Sequence, residues 1–278
     1  MSYNKEFLVP KDTETLMKDN PKHVTEIENS YLQYRRLPRM FDDKGRTPSE
    51  SIKNLNKLGH VTEAAYHKAR YYNRVIKQEL KQKLVLEYTP VTRLLMNIGE
   101  NVIYSNHTLI ALHPLYGVPY IPSSAIKGAI RHAVIHEKYN GDKEKALADA
   151  EFFIRCFGAG RDVTENQQKG ELIFLDAYPK RDIKSLELDV QTVHYQDYYT
   201  SQGAKAPTDD QQPVPIYYSA VGKANFEIII GTLNADFENS QLDMLGEYAR
   251  IALEEYGIGA KTSSGYGLGH VTSHAKDE

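Results

Sequence analysis

Residues 257–269 read Gly-Ile-Gly-Ala-Lys-Thr-Ser-Ser-Gly-Tyr-Gly-Leu-Gly, so five of the chain's 18 glycines fall within one short stretch. Glycine costs about 1 kcal/mol relative to alanine inside a helix and weakens a strand interior, so this stretch must be a loop. It follows Ser240–Tyr256, whose apolar residues Leu242, Leu245, Tyr248/Ala249 and Ala252/Leu253 have helical spacing. It leads into Tyr266–Thr272, which reads as a strand. A tight helix-to-strand turn explains two glycines well and five poorly. Glycines also let successive backbone N–H groups converge on an anion. Lys261 adds charge, and Thr262, Ser263 and Ser264 add hydroxyl donors. The loop is not of the Walker type, because Glu255 stands at the first glycine position and Lys261 follows Ala260. It is not a dinucleotide fingerprint, because Thr262 takes the third glycine position and the loop follows a helix instead of opening one. The candidate anion-binding residues are Gly257, Gly259, Lys261, Thr262, Ser263, Ser264, Gly265 and Tyr266.

A second constellation is Gly117-Val-Pro-Tyr-Ile-Pro-Ser-Ser-Ala-Ile-Lys-Gly-Ala-Ile-Arg131. Pro122 marks a helix start, and Ser123 or Ser124 suits the N-cap. Apolar residues Ile126, Ala129/Ile130 and Ala133/Val134 extend the helix to Tyr139. Lys127 in the first turn and Arg131 one turn on oppose the helix dipole. Two readings fit. Either both cations point to water, or Ser123, Ser124, Lys127 and Arg131 receive a phosphate at the free amides of the helix start. Joint lining of one phosphate track by this segment and the glycine loop is expected.

Composition bounds these readings. With 278 residues, 41% hydrophobic and 26% charged, the chain is expected to be globular. A lone cysteine, Cys156, excludes an intrachain disulfide and a cysteine-rich zinc site. No metal or cofactor is expected. No apolar run approaches the roughly 18 residues of a membrane span. The start of the chain lacks a basic-then-apolar leader pattern. A cytoplasmic protein without membrane contact is therefore expected. The net charge of −3 argues against broad polyanion binding. Residues 1–90 hold 17 Lys+Arg against 12 Asp+Glu, and residues 91–278 hold 17 against 25, so the first third is modestly basic.

Residues 1–90 are expected to form a partly helical N-terminal extension. It contains a short helix near Val24–Tyr34 and a clear one over 61–84. In the latter, Val61, Ala64/Ala65, Ala69, Tyr72, Val75/Ile76, Leu80 and Leu84 form the apolar side. Lys68, Arg70, Arg74, Lys77 and Lys81 form the other, which is either solvated or a docking surface. Residues 91–278 are expected to form one α+β domain. Val91–Ile98, Thr108–Leu112, Glu171–Tyr178, Ser185–Val193, Ile216–Val221, Asn225–Thr232 and Tyr266–Thr272 read as strands. Ser123–Tyr139, Ala146–Phe157 and Ser240–Tyr256 read as helices. Insertions aside, the order is βαββαβ, the ferredoxin-like (RRM-like) plan, which leaves one sheet face open. His194–Pro215 lacks periodicity and is too long for an ordinary hairpin loop.

At the glycine loop, at His113–Arg131, at Asp189-Val-Gln-Thr-Val-His-Tyr-Gln-Asp-Tyr-Tyr199 and at Pro213-Val-Pro215, the sequence resembles the RAMP (repeat-associated mysterious protein) superfamily of CRISPR effector subunits. The detailed likeness is to a subunit family of the type III-B, or Cmr, complex. It departs where the family often has Gly-Ser-Ser-Leu after the proline, since Ser123-Ser124-Ala125-Ile126 follows Pro122 here. The resemblance implies a ferredoxin-like fold and a role in antiviral defence, with partners in guide CRISPR RNA, target RNA and other RAMP subunits. It implies that the glycine loop and nearby cations hold the guide backbone near its 3′ end. It implies that 194–215 is a thumb-like insertion between guide and target. There His194, Tyr195, Tyr198 and Tyr199 are candidate contacts, either stacking on a splayed base or packing together.

Ten histidines raise the alternative of a Cas6-like, metal-independent endoribonuclease that processes guide precursors. His113 and His194 are the candidate bases. His132 and His136 are four apart on a helix, but Ala133 breaks the HExxH pattern. Asp197, Asp209 and Asp210 lie in the insertion. The resemblance implies that target cleavage belongs to an aspartate of the repeated backbone subunit, so no catalytic residue is expected in this chain.

Overall fold

The computed structural model describes residues 15, 28–35, 61–96, 110–160, 168–183, 185–209 and 213–273. Elements appear in the order α1 (Ser30–Arg35), α2 (Glu63–Glu79), β1 (Gln82–Pro90), α3 (Ser123–Tyr139), α4 (Lys143–Ala148), a wide helical turn Ala150–Ile154 and α5 (Arg155–Phe157). Then come β2 (Gly158–Ala159), β3 (Gln168–Lys169), β4 (Ile173–Phe174), β5 (Tyr178–Pro179), β6 (Glu187–Val193), α6 (Gln196–Thr200), β7 (Val214–Ala220) and β8 (Phe226–Thr232). The chain closes through α7 (Asn239–Ile251), a second wide turn Ala252–Tyr256, a 3₁₀ turn Thr262–Ser264 and β9 (Gly269–Ser273).

The architecture is α+β around an antiparallel sheet. Strand order is β4-β8-β1-β9, and β5 continues the β4 edge on β8. β1 is central, with Leu86 opposite Ile228 and Ser273, and Tyr88 opposite Phe226 and Val271. Even positions of β1 and β8, such as Leu86, Tyr88, Phe226, Ile228 and Ile230, face α3 and α7 in the main core. α3 supplies Ile126, Ile130, Ala133 and Val134, a stripe at helical spacing.

The first strand lies at 82–90 rather than the expected 91–98, inside the stretch assigned to the extension. Leu84 continues the helical spacing of α2 by coincidence. The helix stops at Leu80, whose backbone is extended, and the alternation Leu84, Leu86, Tyr88 sets the strand. Thr108 and Leu109 lie outside the described residues. Among the described residues, Leu112 pairs through a single bridge to Pro119. Of the helix expected at Val24–Tyr34, residues 24–27 likewise lie outside, and α1 starts at Ser30.

The expected open sheet face is partly covered, and α2 is rotated from its expected phase. Tyr66 and Ala69 are buried, whereas Tyr72 is 61% and Val75 41% exposed. Of the five cations on its other side, Lys68, Arg74 and Lys81 are exposed, whereas Arg70 and Lys77 turn toward the sheet. Arg70 donates to the carbonyls of Pro179 and Lys180 at 2.9 and 2.7 Å. Lys77 pairs with Glu227 on the second face at 3.2 Å. These contacts tie α2 to β5 and β8 through groups that an apolar residue could not serve.

β6 and β7 form a separate two-stranded hairpin, Glu187 to Val193 against Ala220 to Val214. It is inserted in the chain between β5 and β8, and α6 lies in the connection between its two strands.

Candidate nucleic-acid interface

The glycine loop owes its shape to backbone crowding. Gly257, Gly259, Gly265 and Gly267 all have positive φ, as does Lys261 at 58°. A Cβ on Gly267 would lie 1.9 Å from the Ile258 carbonyl, and one on Gly259 2.3 Å from the Leu95 carbonyl. Three bonds fasten the loop: Ile258 N–H to Gly267 O at 2.9 Å, Ala260 N–H to Leu95 O at 2.7 Å and Gly267 N–H to Arg93 O at 2.9 Å. A Cβ on Gly257 would lie 2.8 Å from the Tyr266 carbonyl and one on Gly269 2.5 Å from the Thr89 carbonyl, so the tight-turn reading explains four of the five glycines, more than the two expected. Gly265 differs, since nothing lies within 4 Å of its Cβ position.

Fastening the base leaves the tip available. The amides of Ser264, Gly265 and Tyr266 turn inward to Lys261 and Thr262 carbonyls. Among the described residues, the amides of Lys261, Thr262 and Ser263 have no protein acceptor. Ser263 and Ser264 are exposed. Three consecutive donors with adjacent hydroxyls suit an anion.

Beside the tip lies a polar network that the sequence did not reveal. Tyr266 donates its hydroxyl to Asp189 Oδ2 at 2.7 Å, and the Tyr218 and Tyr266 hydroxyls are 2.9 Å apart. Arg93 binds Asp189 at 2.8 Å and Glu187 at 2.7 Å. Burial alone would raise the Asp189 pKa, but Tyr266, the Val190 amide and Arg93 outweigh it and hold the carboxylate below its usual range. The Tyr266 phenol is shifted up by its bond to Tyr218, by burial and by Asp189. Lys261 Nζ donates to Gln191 Oε1 and stands 4.4 Å from the Tyr218 ring centroid. An open cleft runs along Val91–Arg93, Glu187, Asp189 and Ser264–Tyr266. Arg93 pairs with both carboxylates and offsets one of their two negative charges.

The second constellation is placed differently from expectation. α3 starts at Ser123 with Pro122 at the cap, and neither serine caps it. Asp176 accepts the Ser123 amide at 2.7 Å instead, so a carboxylate already serves the helix start. Lys127 and Arg131 lie 5.9 and 5.1 Å from the ring centroids of Phe174 and Phe153. Those ring faces compensate the unfavourable dipole position. Burial first, then Arg131, lowers the Lys127 pKa. Lys127 rests on edge strand β4, whereas the glycine loop feeds the opposite edge strand β9, with β8 and β1 between. The structure therefore does not join the two segments into one track.

On the insertion, Tyr198 is 39% and Tyr199 65% exposed on α6, with ring centroids 5.5 Å apart. His194 is exposed and 6.4 Å from the Tyr195 ring, and Tyr195 donates to Asp209 at 3.1 Å. Asp197 pairs with Lys205 at 2.9 Å, and Asp210 lies outside the described residues. His113 stacks on Tyr116 at 4.6 Å and meets Tyr120 edge-on at 5.3 Å. Burial lowers its pKa, against Asp176, and its Nδ1 accepts the Leu115 amide at 3.3 Å. His132 and His136 lie 4.4 Å apart on α3. Among the described residues no group of three or more His, Cys, Asp or Glu could hold a metal ion. No helix among them is long and apolar enough to cross a membrane.

An antiparallel α+β domain closed by a crowded glycine loop defines a class of protein, and the RAMP superfamily profile matches residues 96–270. The chain belongs to the RAMP superfamily. Within that class it is similar to the protein named CRISPR system Cmr subunit Cmr6 of Pyrococcus furiosus, 31% identical over 225 residues, covering 63% of this chain and 64% of the relative. It is also similar to the CMR subunit Cmr6 of Saccharolobus solfataricus, 27% identical over 207 residues, covering 72% and 62%. The chain thus spans a little under two thirds of the length of these relatives. A chain in the cryo-EM structure of the type III-B Cmr-beta bound to cognate target RNA shares the fold, with TM-score 0.59, 23% identity and coverage of 80% of this chain and 70% of that one.

Proposed function

We propose that this chain is a non-catalytic RNA-binding subunit of a type III-B CRISPR ribonucleoprotein, with a ferredoxin-like core. It binds the guide RNA backbone near its 3′ end, beside other RAMP subunits, and helps position target RNA for antiviral defence. The observation that carries the reading is the glycine loop: its base is fixed by crowded glycines while three consecutive amides and two exposed hydroxyls remain at its tip. Such donors hold phosphates without reading bases. The exposed Tyr198 and Tyr199 on α6 support a stacking role for the insertion. The core order β1-α3-β4/β5-β8-α7-β9, with β1 and β8 central, supports the ferredoxin-like assignment.

The test is co-expression of the full chain with the remaining type III-B subunits and a repeat-derived guide. The chain is expected to copurify with those subunits and with a guide carrying a constant 5′ tag. A chain that stays apart from the assembled complex would overturn the reading. Incubating the isolated chain with repeat RNA checks the Cas6-like alternative. Cleavage at one phosphate, lost on changing His194, would establish that alternative instead.

A further inference from the structure

We infer that Gln191 is a positioning residue that sets the availability of Lys261, so the inserted hairpin and RNA compete for one ammonium group. The inference rests on the proposed phosphate-binding role of the glycine loop and goes beyond it. Lys261 begins the run of amides that have no acceptor among the described residues, yet its side chain reaches across to β6, where it donates to Gln191 and lies over the Tyr218 ring of β7. A phosphate held by the amides of Lys261–Ser263 attracts the same ammonium group. The ammonium's bond to the neutral Gln191 amide is already charge-assisted, but a phosphate adds the attraction of a full opposite charge, so phosphate wins the exchange at a cost set by Gln191.

The rest of the hairpin base does not depend on this exchange. Asp189 holds Tyr266 and Arg93 whether or not Lys261 leaves. The β6–β7 base stays fixed while the tether nearer α6 is released. By linkage, whatever strengthens the Lys261–Gln191 contact weakens RNA binding, and RNA binding loosens that part of the hairpin.

The experiment uses the full chain, a mixed-sequence single-stranded oligoribonucleotide and fluorescence anisotropy. Gln191 is exposed, so its variants are expected to fold. Q191A is expected to tighten RNA binding about three- to ten-fold, the worth of one modest hydrogen bond, and Q191E to weaken it. In a K261A background Q191A is expected to have no effect, and Q191E only the smaller loss that its added charge causes by repelling RNA. If K261A weakens binding but Q191A and Q191E act equally in both backgrounds, the coupling is wrong and the phosphate-binding role stands. If K261A leaves affinity unchanged, that role fails and the inference falls with it.

Discussion

Tyr266 in the glycine loop and Asp189 on the inserted hairpin share a 2.7 Å hydrogen bond, although 77 residues separate them. The bond joins a core turn to the base of an insertion. It also fixes the orientation of Arg93, which reaches the same carboxylate oxygen. Replacing Tyr266 by Phe removes a hydrogen bond to a charged acceptor. Chemical denaturation of Y266F is expected to show a loss of about 1.5–3 kcal/mol. A loss within experimental scatter would show that the contact holds nothing.

Glycines of the loop are expected to differ sharply. Gly265→Ala meets open space and bears only the cost of positive φ, about 1–2 kcal/mol. Gly267→Ala adds a Cβ 1.9 Å from the Ile258 carbonyl and must break the loop base. Thermal melts are expected to rank wild type above G265A and G265A far above G267A. Equal melting temperatures for the two variants would contradict the crowding argument.

The pH dependence follows from His113. Burial lowers its folded pKa below the ordinary value of 6.5, so the unfolded chain takes up the proton first as pH falls. Stability is therefore full above about pH 6.5 and declines below it until the folded pKa is passed. H113F keeps a ring between Tyr116 and Tyr120. Its stability is expected to fall less steeply with acid than wild type over that window. His132, also lowered, chiefly by burial, supplies a residual slope. An unchanged slope in H113F would contradict the assignment.

Cys156 is buried, and burial pushes its thiol up to about 12. A thiolate-specific reagent such as Ellman's is expected to label the native protein only through unfolding. Labelling is expected to accelerate with denaturant in step with the loss of structure. Immediate stoichiometric labelling without denaturant would show that the core around α5 is open.

Local signals in the sequence reached local structure. α3 was legible because Pro122 precedes the spaced Ile126, Ile130, Ala133 and Val134, and the structure places it at Ser123–Tyr139. The phase of α2 was not, since counting Tyr72 and Val75 as buried ignores what Arg70 does for two carbonyls more than 100 residues away. The two anion-site candidates also parted for a physical reason. Crowding at Gly259 and Gly267 needs contacts to Leu95 and Ile258, and the Asp176 carboxylate at Ser123 lies 53 residues on. Only the tertiary fold brings these groups together. Arg93, Asp189 and Tyr218 escaped notice as contacts of the loop for the same reason, although Asp189 lies in the segment that carried the family resemblance.

The central claim is that a loop with backbone donors and Lys261 holds RNA phosphates without regard to base. The most direct measurement is the affinity of the full chain for single-stranded RNAs of unrelated sequence across a salt series, for wild type and K261A. The account predicts equal affinities among sequences, and a plot of log K against log salt whose slope is shallower by about 0.7 in K261A. A slope that K261A leaves unchanged, or affinities that track sequence, would contradict it.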